Sequence, residues 1–208
     1  MVTSNTKQAL AILRDFSNFQ WYIIAIFLIV FYIYATEYEK QNWNGIAAGL
    51  TYLMLNTFAE VINSLFFVAT QHAPLWAAPG GTAYLFLIGL NIELLFMFCL
   101  IGLATSKFLP EDKEKKFFGI NNRILVAGTF AVVSLVFEIC LNLIGALTWD
   151  YWWWSASCPL VIFGYFSFFL IAYWVYDIED INKKRKVVLF LAMITLIPLF
   201  LLIGLGII

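Results

Sequence analysis

Long apolar runs, separated by short polar stretches, dominate the chain. A bilayer core needs roughly 20 mostly apolar residues for each crossing helix. Six runs meet this requirement and predict transmembrane spans at residues 19–36, 45–69, 82–104, 123–147, 158–176 and 187–208. Strand signals are absent between them. The pattern therefore predicts an all-α, polytopic transmembrane helix bundle of about six spans, with a seventh near residues 70–82 as the alternative.

The first 18 residues differ from the rest and predict a short amphipathic helix on the membrane surface. Apolar and charged residues would lie on opposite faces of this helix, with Leu10, Leu13 and Phe16 on one and Lys7, Arg14 and Asp15 on the other. Residues 19–208 then form a single transmembrane domain, because the connections are too short for a separate soluble fold. The composition agrees, since 63% of the residues are hydrophobic and only 12% are charged.

Basic residues concentrate in the connections after the first, third and fifth spans. Ten of the 12 lie there: Lys40, Lys107, Lys113, Lys115, Lys116, Arg123, Lys183, Lys184, Arg185 and Lys186. The positive-inside rule places these loops in the cytoplasm of a multi-pass cell-membrane protein. Acidic residues are interleaved with the basic ones, so the sequence predicts no nucleic-acid partner. A re-entrant seventh span would change this orientation.

Three glutamates interrupt spans that are otherwise apolar: Glu60, Glu93 and Glu138. An ionisable side chain at membrane depth costs about 2.5–3.5 kcal/mol on insertion scales, so it usually faces a partner or a cavity. With a rise of about 1.5 Å per residue, the three depths coincide in the middle and outer half of the membrane. We therefore predict that the three carboxyl groups share one cavity and are its catalytic groups.

Amide and aromatic residues accompany the glutamates. Asn56, Glu60 and Asn63 lie on one helical face, and Asn142 follows Glu138 by four residues. Asn91 points away from its neighbour Glu93, so a bond to another helix is its alternative role. The residues predicted to bind substrate are Asn56, Asn63, Asn91, Asn142, Trp149, Asp150 and Trp153.

An aromatic lid over this pocket is predicted from two outer loops. One loop contains residues 149–154 and the other contains His72 and Trp76. The alternative role of these tryptophans is anchoring at the membrane interface. The asparagines have an alternative too, as hydrogen-bonding groups between helices.

Several kinds of chemistry are excluded by what the sequence lacks. His72 is the only histidine, and no serine nucleophile motif or phosphate-binding glycine loop is present. The three cysteines, at 99, 140 and 158, lack metal spacing. We predict no metal and no cofactor. A carboxyl group held neutral by burial is a general acid and an ionised neighbour is a base, while aromatic faces stabilise positive charge. This set suits protonation of a lipid alkene.

Two stretches carry a resemblance to known families. One is the set Glu138, Asn142, Gly145, Trp149, Tyr151, Pro159, Gly164 and Tyr165, which resembles the second half of small polytopic carotenoid cyclases and hydratases. Asn56 with Glu60 is similar to a pair in the integral-membrane terpene cyclases of meroterpenoid pathways. The resemblance implies an isoprenoid substrate, cyclase, isomerase or hydratase chemistry, and Glu60 as the proton donor.

Two other classes of function stay open. Carboxylates and amides also suit a proton- or cation-coupled transporter or channel, although no inverted repeat is visible. The third class is a non-catalytic scaffold or assembly subunit, for which the small-residue spacing of Gly45 and Gly49 would serve helix contacts. Homo-oligomerisation is likewise open.

Overall fold

The computed structural model describes residues 1–208, with the side chain of Asn18 left aside. Across the described residues it has seven α-helices: α1 Ser4–Ile12, α2 Tyr22–Glu39, α3 Trp43–Thr70, α4 Ile92–Ser106, α5 Asn122–Leu143, α6 Pro159–Tyr176 and α7 Ile181–Gly204. Five of them, all except α1 and α4, are long and apolar enough to cross a membrane. The predicted polytopic helix bundle is confirmed.

The third predicted span is wrong at its start. The helix begins at Ile92 and not at residue 82, because the preceding residues form a hairpin of β1 (Leu85–Leu87) and β2 (Leu90–Asn91). The Asn91 side chain caps α4 by accepting a hydrogen bond from the Leu94 amide at 2.8 Å. A second hairpin pairs β3 (Lys116–Phe117) with β4 (Ile120–Asn121). The expectation that the chain has no strands is therefore also wrong, at these two hairpins.

The helix α3 is the centre of the bundle. It packs against α4, α6 and α7, while α5 packs against α6 and α2 lies at the edge. Glycines bring α3 and α4 close together, since a Cβ atom on Gly102 would lie 2.6 Å from the Ala48 carbonyl oxygen and 3.0 Å from the Gly49 Cα atom. The small residue at position 49 thus serves a helix contact within the chain.

The loops rich in lysine and arginine all lie at one end of the bundle, which we call the basic end. Two ion pairs tie its elements together, Lys107 with Glu37 at 2.6 Å and Arg123 with Asp177 at 2.7 Å. The opposite end, which we call the lid end, holds α1, the loop of residues 71–91, the loop after α5 and the C-terminus. Although α4 is only about 22 Å long, it runs from the lid end to the basic end.

The N-terminal segment is docked on the lid end. Its helix ends at Ile12, and a separate 3-10 turn follows at Phe16–Asn18, so the helix covers only part of the predicted amphipathic segment of residues 1–18. Asp150 fixes this helix by accepting hydrogen bonds from the side chains of Thr3, Asn5 and Thr6. The segment therefore also contacts protein, in addition to any membrane surface that it meets.

Candidate functional site

A cavity of about 650 Å³ lies inside the bundle. It is bounded by α3, α4, α5 and α6, and the two large lid-end loops contribute Trp76, Leu147 and Trp154 to its lining. Its walls are mainly aliphatic and aromatic side chains. The volume falls within the range of roughly 300–1,000 Å³ that is usual for small-molecule sites.

Two of the three predicted glutamates line this cavity, Glu60 from α3 and Glu138 from α5. The Trp76 indole N–H donates to Glu60 Oε1 at 2.7 Å, and the Tyr165 hydroxyl donates to Glu138 Oε1 at 2.5 Å. The other carboxyl oxygen of each glutamate is buried and has no hydrogen-bond partner among the described residues. The two carboxyl groups are close enough to interact electrostatically. In each carboxyl group of this pair, one oxygen accepts a hydrogen bond and the other accepts none from the described residues.

Asn63 holds the loop that carries Trp76. Its side-chain oxygen accepts from the backbone amides of Leu75 at 2.7 Å and Trp76 at 3.3 Å, and its amide group donates to the Trp76 carbonyl at 2.8 Å. All of these bonds go to the loop backbone. The structure therefore makes Asn63 a residue that positions the indole against Glu60, and the cavity lining does not include it.

A stacked pair of tryptophans covers the cavity at the lid end. Trp76 and Trp154 have ring centroids 6.0 Å apart and an interplanar angle of 21°. Trp153 packs against Trp154 and Tyr151 outside the lining, and Trp152 is 90% exposed. The described lining also excludes Trp149 and Asp150, which the sequence assigned to substrate binding.

Glu93 does not join the other two carboxyl groups, so the prediction of one shared cavity is wrong for this residue. Its carboxyl group accepts hydrogen bonds from the Tyr22 hydroxyl, from the Thr82 hydroxyl at 2.5 Å and from the Ala83 amide at 2.8 Å. It lies in the first turn of α4, where the helix dipole favours a negative charge. The error follows from the misplaced helix start, because Glu93 lies at the lid end of α4 and not partway along a span.

The remaining asparagines separate into two groups. Asn56 is buried and lines the cavity, and its amide group donates to the Tyr52 carbonyl at 2.8 Å. Asn91 is the helix cap described above. Asn142 donates to the Leu147 carbonyl at 3.0 Å and shapes the loop after α5. Of the four predicted asparagines, only Asn56 therefore reaches the described cavity lining.

Sequence reasoning missed the polar floor of the cavity. Tyr52, Ser134 and Thr105 line it on the side toward the basic end. A signal for one of them was present, because Tyr52 continues the four-residue spacing of Asn56 and Glu60 along α3. The other two stand alone in apolar helices, and only the packing of α4 and α5 around the cavity brings them together.

The lining residues supply hydrogen-bonding and proton-transfer groups. Within the described part of the chain, no three histidine, cysteine, aspartate or glutamate side chains converge as a metal site would require. Two neighbouring carboxyl groups, a phenol and an indole N–H can donate, accept and exchange protons. The chemistry available at this site is therefore acid–base chemistry in an apolar surrounding.

Residues 3–204 match the family described as "Uncharacterized membrane protein family". Over 189 residues the chain is 50% identical to an "Uncharacterized protein" of Archaeoglobus fulgidus, and the alignment covers 90% of each chain. No solved structure matches. Neither description mentions a cyclase, so the resemblance to cyclases stays a prediction.

Proposed function

The chain belongs to this uncharacterized family of membrane proteins, and we propose that it binds a lipid in its cavity and acts on it by acid–base chemistry. The observation that carries the proposal is the carboxyl pair: Glu60 and Glu138 line one largely apolar cavity, and each has one hydrogen-bonded oxygen and one unpaired oxygen. An isoprenoid is the proposed substrate, and cyclisation, isomerisation or hydration without a cofactor is the proposed reaction.

The shape of the bundle supports entry of the lipid from the side. The helices α4 and α5 both line the cavity, but each packs mainly on other helices, α4 on α3 and α5 on α6. Val133 and Phe137 of α5 line the cavity and are also 39% and 59% exposed on the surface of the bundle. A molecule dissolved in the bilayer would reach the cavity between α4 and α5 without leaving the apolar phase.

The two carboxyl groups take complementary roles in the proposed reaction. Glu60 is the acid: its O–H bond breaks as a C–H bond forms at one alkene carbon, which leaves a carbocation on the adjoining carbon. Aromatic faces in the wall, such as that of Trp154, stabilise this charge. Glu138 is the base, and it removes a proton from a neighbouring carbon so that a new double bond forms. In hydration, water adds to the cation instead, and Glu138 takes the extra proton from the water oxygen.

The test compares substitutions inside and outside the cavity. Lipids extracted from the purified protein, and products formed from added polyprenyl lipids, are identified by mass spectrometry. Glu60→Gln and Glu138→Gln should abolish product formation and keep the bound lipid, because the amide retains the shape but cannot exchange the proton. Glu93→Gln is the matched control and should retain product formation. Wild-type protein with no bound lipid and no product would overturn the proposal.

Proton- or cation-coupled transport is the second candidate, and buried hydroxyl groups at the cavity floor and next to it favour it. The hydroxyls of Tyr52 and Tyr173 are buried without a hydrogen-bond partner among the described residues, between the carboxyl pair and the basic end. If the protein is a transporter, Glu60→Gln abolishes pH-dependent flux in liposomes, and no lipid product forms in the wild type.

The orientation in the cell membrane is also a proposal, with the basic end in the cytoplasm. Single cysteines at two exposed positions test it, Lys115→Cys at the basic end and Trp152→Cys at the lid end, in a chain whose own three cysteines are replaced by alanine. An impermeant thiol reagent should label only Trp152→Cys in intact cells. Labelling of only Lys115→Cys would show the opposite orientation.

A further inference from the structure

A line of polar side chains runs along α3 from the carboxyl pair toward the basic end. Tyr52, Asn56 and Glu60 are four residues apart, so they lie on one face of the helix. Tyr52 is fully buried, and its hydroxyl has no hydrogen-bond partner among the residues described. Tyr173 on the neighbouring helix α6 is also fully buried, and its hydroxyl also lacks a partner among these residues. A buried hydroxyl without a hydrogen-bond partner is costly, so two of them together indicate a bound polar molecule.

Other polar groups fill the space around these hydroxyls. The Tyr52 hydroxyl lies near Ser134 and Asn56, and it interacts electrostatically with Glu138 and Tyr173. Tyr173 in turn lies near Thr105. A series of oxygen atoms thus leads from the carboxyl pair, through the cavity floor, to the contact between α4 and α6.

This series ends close to the basic end. Thr105 is one residue from the last residue of α4, Ser106, and Tyr173 is three residues from the last residue of α6, Tyr176. At about 1.5 Å of rise per residue, both lie within one turn of the water-exposed loops. In the other direction the stacked lid of Trp76 and Trp154 covers the cavity, and Asn63 bonds the backbone of the loop that carries Trp76.

We propose that Tyr52, Ser134, Tyr173 and Thr105, with water bound between them, form a proton relay that joins the Glu60–Glu138 pair to the basic end. This inference rests on the proposed function, since each turnover leaves Glu60 without its proton and Glu138 with an extra one, and both must be restored. In each step an O–H bond forms on one side of an oxygen atom as the O–H bond on its other side breaks. One proton enters from the aqueous phase as one reaches Glu60, the reverse sequence returns the proton of Glu138 to water, and every hydroxyl in the series ends neutral.

The relay is tested by hydrogen–deuterium exchange of the carboxyl groups, followed by infrared spectroscopy. Protein in lipid nanodiscs at acidic pH is transferred to D₂O, and the shift of the protonated-carboxyl C=O band gives the exchange rate. Glu60→Gln and Glu138→Gln assign the bands. Tyr52→Phe and Tyr173→Phe should slow the exchange by about tenfold, because each removes a hydroxyl and keeps the ring.

Ser64→Ala is the matched control. Its hydroxyl is also buried on α3 without a partner among the described residues, but it lies on the lid side of Glu60. The exchange rate should stay at the wild-type value in this variant. Thr105→Val is a second relay variant for the case in which a tyrosine variant does not fold, and it should slow the exchange as well.

Two results would overturn the relay: wild-type exchange rates in the folded relay variants, or equal slowing by Ser64→Ala. The measurement needs no lipid turnover, so the relay and the proposed function are judged separately. Slowed exchange in a protein without lipid activity would support the relay and count against the proposed reaction. Lipid activity with unchanged exchange rates would overturn the relay alone.

Discussion

Replacing Gly89 with alanine is expected to displace the lid tryptophan from Glu60. A Cβ atom at this position would lie 2.6 Å from both Cδ1 and Nε1 of Trp76, and 2.7 Å from the Asn63 side-chain nitrogen. Carbon atoms in contact normally lie about 3.5–4.0 Å apart, so the indole would have to move by about 1 Å. It has little freedom to move, because it donates to Glu60 and stacks on Trp154.

The size of the effect follows from two contributions. Forcing an extra methyl group into a packed core typically costs about 1–3 kcal/mol. Loss of the bond from Trp76 leaves a buried carboxyl oxygen unpaired, which costs about 1–3 kcal/mol more. The movement that relieves the first contribution brings about the second, so we expect about 2–4 kcal/mol in total. For a chain of this length, the melting temperature should fall by about 5–15 °C.

Thermal unfolding followed by circular dichroism in one detergent measures this change. Gly81→Ala is the control, because a Cβ atom at Gly81 meets nothing within 4 Å and the residue lies in the same loop. In a Trp76→Phe background, Gly89→Ala should cost less, since the smaller ring leaves room. Equal melting temperatures for Gly89→Ala and Gly81→Ala would show that the close approach of the hairpin does not constrain the lid.

Two further predictions concern the two ends of the bundle. Asp177→Asn should lower the free energy of unfolding by about 3 kcal/mol, because it leaves the nearly buried Arg123 without its negatively charged partner. The control is Glu179→Gln, which should leave the melting temperature unchanged because the Glu179 side chain is 90% exposed. Asp150→Ala should speed amide hydrogen exchange in α1 and leave α3 protected, because Asp150 bonds three side chains of the N-terminal segment. Unchanged exchange in α1 would show that other contacts hold it.

Hydrophobicity predicted most of the fold because the bilayer requirement is strong and local. Five of the six predicted spans correspond to long apolar helices. The exception is instructive: residues 82–91 are as apolar as a helix but form a buried hairpin, in which Leu85, Leu87 and Leu90 are almost fully buried. Apolar content shows that a segment avoids water, and it does not distinguish a helix from a strand enclosed by other parts of the protein.

The candidate site was predicted in part, for a related reason. Helical spacing placed Asn56 and Glu60 on one face, and both line the cavity. Spacing along one helix cannot give the partner of a side chain on another element, so the donors Trp76 and Tyr165 follow only from the packed structure. Glu93 was misplaced for the same reason. Its three hydrogen-bond donors lie on α2 and in the loop before α4, and helical periodicity does not predict such contacts.

The short helix and the carboxyl pair are consequences of one arrangement. Because α4 begins ten residues later than an ordinary span would, non-helical backbone occupies the space that its first turns would have filled. Such backbone is tolerated at membrane depth only where protein buries it or where it lines a cavity. Here it does both: Ala77, Ala78 and Ile88 are buried, and Trp76 and Gly89 line the cavity. A helix that began at residue 82 would remove the hairpin, whose Ile88 carbonyl accepts a hydrogen bond from the Ala78 amide and whose Gly89 lies against the Trp76 indole. The hairpin is therefore part of the site, and any function assigned to the carboxyl pair must also account for the loop that covers it.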